Sequence, residues 1–165
     1  MKINNFLKVM MDAVDIVIGV SSCDSDDDDS AVAVADEVAG SYTGDEVITI
    51  MGEPEDDDAT FQFVKTSDST VDMIIPQSGE GMMVIPPLTV KNIPLTKINK
   101  SITGKLDSYS GTVTNAAGAE KAFTVSNLVV IFEDVPKGKA VVVTFSLKYG
   151  SMPFDMVTTF NGNKN

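Results

Sequence analysis

Apolar residues recur at every second position through most of this chain, and a period of two belongs to β-strands, whose successive side chains point to opposite faces. The longest clean stripe is Val141, Val143, Phe145, Leu147 and Tyr149, set against Val142, Thr144, Ser146 and Lys148. Phe61 and Phe63 alternate with Thr60 and Gln62, and Val71, Met73 and Ile75 with Thr70 and Asp72. Phe154, Met156, Thr158 and Phe160 form a last stripe. The runs are rich in Val, Ile, Thr and aromatic residues, which suit a pleated, half-buried surface. The pattern predicts strands near 40–51, 58–65, 70–76, 82–93, 99–113, 120–132, 139–149 and 153–162. Turn residues separate them: Pro54 among acids at 53–58, Ser67-Asp68-Ser69, Pro76 to Gly81, Asn115 to Gly118, Val135 to Gly138 and Gly150 to Pro153. Only Ala31 to Ala39 tolerates a helix, of one or two turns. Short connections imply antiparallel neighbours, and evenly spaced strands imply a barrel or a sandwich of immunoglobulin type.

Charge divides the chain. Residues 24–58 carry 14 acids and no Lys, whereas 59–165 carry 8 acids and 10 Lys. The run Asp24 to Ser30 repels itself and predicts an extended, solvated spacer. A calcium loop framed on Asp26, Asp28, Ser30 and Glu37 places Ala31 where the sharp turn needs Gly. The chain has no Arg, and its net charge of −12 argues against a nucleic-acid partner. It has no His and one Cys, which excludes Ser-His-Asp chemistry, His-based metal sites, internal disulfides and multi-Cys zinc sites. No cofactor is implied. Adjacent carboxylates such as Asp45-Glu46 and Glu133-Asp134 point to opposite faces of a strand and cannot serve as one acid–base pair, so catalysis is not expected.

The single Cys stands at a telling place. Lys2 and Lys8 precede an apolar stretch, Val9 to Val20, and Val20-Ser21-Ser22-Cys23 follows. That tetrapeptide resembles the lipobox of bacterial lipoproteins. The resemblance implies a signal peptide over 1–22, a lipid on Cys23 and a membrane partner through that lipid. The acidic run after Cys23 resembles the export signal of Bacteroides-type surface lipoproteins. It implies an outer-membrane address, on the cell surface or the periplasmic face. Asp12 and Asp15 interrupt the apolar stretch, and the alternative is an ordinary N-terminal helix with an incidental Cys.

Three tracts carry a family resemblance: Val38-Ala39-Gly40-Ser41-Tyr42-Thr43-Gly44, Ile85 to Thr96, and Val143 to Phe154 with its Gly150-Ser151-Met152-Pro153-Phe154 turn. Over roughly 38–162 the chain resembles the calycin-like domain of Bacteroides-type lipoproteins. The implied fold is an all-β, eight-stranded antiparallel up-and-down calycin or lipocalin-like barrel over 38–165. It follows a disordered leader and an acidic tether over 23–37. Gly40-Ser41-Tyr42 stands where lipocalins carry Gly-x-Trp, so Tyr42 is expected as a plug whose hydroxyl finds a backbone partner.

The inward stripe is the first candidate site. Tyr42, Phe61, Phe63, Met73, Phe145, Leu147, Tyr149, Phe154 and Met156 either line a cavity for a small apolar or amphipathic ligand or pack as core. A barrel of eight strands can do both. The second candidate is protein recognition through loops 52–58 and 76–87. Within the latter, Met82-Met83-Val84-Ile85 reads either as an ordinary strand or as an apolar lip.

Overall fold

The structure, a computed structural model, describes residues 32–81 and 83–165. A short helix α1 (Val34–Val38) leads into eight strands: β1 (Gly40–Ile50), β2 (Glu53–Ser67), β3 (Thr70–Ile75), β4 (Leu88–Ile98), β5 (Ser101–Thr114), β6 (Glu120–Val135), β7 (Gly138–Tyr149) and β8 (Met156–Lys164). Each strand pairs with the next, and β8 returns to β1, closing an antiparallel up-and-down barrel. Closure removes the free sheet edges of a sandwich, so the immunoglobulin alternative is excluded. No helix among the described residues is long and apolar enough to cross a membrane. The leader, Cys23 and the acidic run 24–30 lie outside the described residues.

Two expected features differ. The acids 53–58 do not break the ladder. Ile50 pairs with Glu53 across the two-residue turn Met51-Gly52, and pairing runs through Val47–Asp56 and Asp45–Asp58. Both turn residues have positive φ, 53° and 90°, the geometry whose twist suits a hairpin. Glu53 to Asp58 are all exposed, so their charges stay hydrated while the backbone pairs with β1. The strand expected at 82–93 instead runs from Leu88 to Ile98. Pro86 and Pro87 offer no N–H to a ladder before it. Ser78 and Ile85 form an isolated bridge, and Met83 and Val84 lie in a loop.

Two bulges explain why strict alternation misplaces the core. Asn92 (φ 56°) lets burial in β4 pass from Leu88 and Val90 to Ile93 and Leu95. The Asn92 backbone N–H donates a hydrogen bond to the Asp72 carboxylate at 2.8 Å. Asn127 (φ 52°) shifts β6 in the same way, from Phe123 and Val125 to Leu128, Val130 and Phe132. Asn occupies the left-handed region at lower cost than other non-glycine residues.

Candidate functional site

One end of the barrel is sealed. It carries the β2–β3, β4–β5 and β6–β7 turns, α1 and the C-terminus. Ala35 and Val38 bury their side chains there, and the Ala35 N–H donates to the Asp68 carbonyl at 3.1 Å. The Tyr42 hydroxyl donates to the Val38 carbonyl at 2.9 Å, the backbone partner expected of a plug. Burial raises its pKa well above the usual tyrosine value. Lys65 pairs with Asp36 at 2.7 Å and Lys97 with Glu37 at 2.6 Å, pinning the helix to β2 and β4. Helix α1 therefore joins residues 34–37 of the expected tether to the barrel unit.

The interior above that seal is filled. Tyr42, Phe63 and Phe132 form a triad with ring centroids 4.9–5.6 Å apart. Phe61 stacks on Phe160 at 4.3 Å, and its ring lies 6.5 Å from Phe145. Tyr42, Phe61, Met73, Leu88, Val90, Val125, Val130, Phe132, Val143 and Phe160 have no exposed surface. A void wide enough for water would leave exposed area on its lining, so none touches these side chains. Of the nine expected interior residues, Tyr42, Phe61, Phe63, Met73, Phe145, Leu147, Tyr149 and Met156 join this core. Phe154 does not. It lies half-buried in the β7–β8 connection, because Pro153 delays the ladder and β8 starts at Met156.

Two interior polar groups stand out: Glu46, named from the sequence only as one of an adjacent carboxylate pair, and Tyr149, expected inside as part of the apolar stripe. Glu46, 5% exposed, faces inward on β1 opposite Phe160 of β8 and Asp57 of β2. Burial, reinforced by the Asp57 charge, pushes its carboxyl up to about 7. The Tyr149 hydroxyl is buried with no hydrogen-bond partner among the described residues.

The opposite end carries the β1–β2, β3–β4, β5–β6 and β7–β8 connections. Loop 76–87 folds over it and tucks Ile85 into the core, held by two backbone hydrogen bonds between Ser78 and Ile85. Met83 of this loop is 58% exposed, and Met51 at the β1–β2 tip is 80% exposed. Met82 lies outside the described residues.

The wall is uneven. Strands β4 and β5 pair only through Leu95–Ile98 and Ser101–Gly104, whereas β5 and β6 pair from Ile102 to Thr114. Above the short ladder β4 and β5 part. A cavity of about 360 Å³ lies there, lined by Pro87, Thr89, Lys91, Tyr109, Gly111, Thr112, Val113 and Phe123. Among the described residues no cluster of acids or Cys has a metal-binding arrangement.

These features are those of a known barrel family. The model of the calycin-like β-barrel domain matches residues 38–163. A solved structure, a candidate outer membrane protein from Bacteroides fragilis, superposes with a TM-score of 0.57 at 18% identity. The match covers 81% of this chain and 53% of that one, so the chain spans about half the length of this neighbour. No curated protein matches the chain. From strand order, closure and the match to the family model, the chain belongs to the calycin-like β-barrel domain family.

Proposed function

We propose that this chain is a lipid-anchored envelope protein whose packed barrel is a rigid scaffold for recognising another protein at the end that bears Met51 and Met83. The filled axis carries this reading: rings without exposed surface leave a ligand no room among them. The lipobox-like Val20-Ser21-Ser22-Cys23 and the outer-membrane name of the Bacteroides fragilis neighbour support the envelope address.

Met51 is the sharpest local feature of that end. A bulky unbranched residue at φ 53° costs about 1 kcal/mol, and Asn would suit the turn better. A strained, exposed apolar residue at a hairpin tip has no folding advantage, which points to recognition. Methionine also adapts its shape to a partner. Glu53 to Asp58 flank it, so a complementary partner surface carries positive charge.

A photo-crosslinking amino acid at Met51 or Met83, introduced in intact cells, should give a discrete protein adduct in the membrane fraction. The same probe at Asp68 on the sealed end should give none, and Cys23→Ser should move the protein out of that fraction. No adduct from either methionine would overturn the reading.

A further inference from the structure

The cavity between β4 and β5 lies in the wall rather than on the axis, and its chemistry differs from that of the proposed protein-binding end. Its floor is aromatic. The half-buried Tyr109 ring lies 6.1 Å from that of Phe123, which is buried beneath the cleft. Gly111 keeps the floor bare: a methyl group there would come within 2.9 Å of the Phe123 ring and 3.3 Å of the Tyr109 ring. Val113 adds an apolar edge, while Thr89 and Thr112 supply hydroxyls.

The cleft carries a one-sided charge. Residues 59–165 hold 10 Lys against 8 acids, and at the cavity no carboxylate lines the wall while Lys91 does. Lys91 is exposed and has no ion-pair partner among the described residues, unlike Lys65, Lys97 and Lys139. A flat apolar floor with a free ammonium at its rim matches a molecule with the same two parts.

We propose that this cleft binds a small amphipathic anion, with a flat apolar body on Tyr109 and Val113 and a carboxylate- or sulfonate-type head at Lys91. Its volume, about 360 Å³, falls at the small end of ligand pockets, which run from roughly 300 to 1,000 Å³. The Tyr109 and Val113 contact orients the apolar body, and Lys91 contributes a charge-assisted contact that selects for the anion. The inference is independent of what binds at the Met51 end.

The test uses the full chain carrying Cys23→Ser, so that no lipid competes, with 8-anilinonaphthalene-1-sulfonate as the fluorescent probe. Saturable one-to-one binding is expected. Lys91→Gln should weaken it about five- to tenfold, in line with the loss of one charge-assisted contact. Thr112→Trp, at an exposed position, should block it by filling the cleft. Lys137→Gln, in the β6–β7 turn at the other end, should change nothing. The uncharged analogue N-phenyl-1-naphthylamine should bind at least fivefold more weakly than the sulfonate. Absence of saturable binding would overturn the proposal. Equal affinity in Lys91→Gln, or equal affinity for the uncharged analogue, would do the same.

Discussion

Glu46 shows how one residue can tie stability to pH. Its carboxyl sits inside the barrel wall, faced by Asp57 from β2 and Phe160 from β8. Desolvation and the like charge of Asp57 hold its pKa at about 7 instead of the usual 4.5. The folded protein therefore keeps a proton that the unfolded chain has already released. The resulting stability is full below about pH 4.5 and is lost as the pH rises through about 7. Glu46→Gln removes this titration while keeping the shape. At pH 8 the variant should be more stable than the parent by about 1–3 kcal/mol, and the gap should shrink towards pH 5. Urea unfolding at the two pH values measures it. A gap that is the same at both would mean that Glu46 stays charged in the fold.

Among the elements, β7 was the most legible in the sequence. Its stripe from Val141 to Tyr149 is unbroken because it pairs with β6 on one side and β8 on the other, with no change of face along its own length. The start of β2 was hidden because six charged or proline residues argue against a strand, although exposed backbone pairing does not require burial. The face changes at Asn92 and Asn127 left no signal beyond two asparagines. The cleft was illegible for a different reason. It arises from two strands parting, and Thr89, Lys91 and Thr112 are unremarkable strand residues without that geometry. The β1–β8 closure depends on a pair that periodicity also passes over. Gly44 lies opposite Gly162, and a methyl group on Gly44 would run into the Asn161 carbonyl and lie 2.6 Å from the Gly162 Cα. Gly44 does not have positive φ, so crowding rather than backbone conformation demands glycine there. Gly44→Ala should cost about 2 kcal/mol, at the level of other overpacked sites. An unchanged denaturation midpoint would show that the two strands can separate without loss.

At the scale of the whole molecule, the barrel is closed but not equally strong around its circumference. Strands β6 and β7 have partners along nearly all of both edges, while the upper part of β4 is paired only with β3 and that of β5 only with β6. The sealed end adds α1, the Tyr42 plug and the ion pairs of Lys65 and Lys97. Exposed ion pairs contribute about 0–1 kcal/mol each, so the aromatic triad beneath them is the stronger source of rigidity. Local opening should therefore begin at the cleft and not at the seal. Amide hydrogen exchange resolved by residue should find rapid exchange at the amides of β4 (88–93) and β5 (105–114) that face the cleft rather than β3 or β6. The interior of β7, from Val141 to Leu147, should exchange only with global unfolding. The proposed anion should slow exchange at the cleft and leave β7 unchanged, because a ligand that binds only the native state protects what its site holds together. Uniform protection around the barrel would mean that the cleft is as rigid as the rest of the wall.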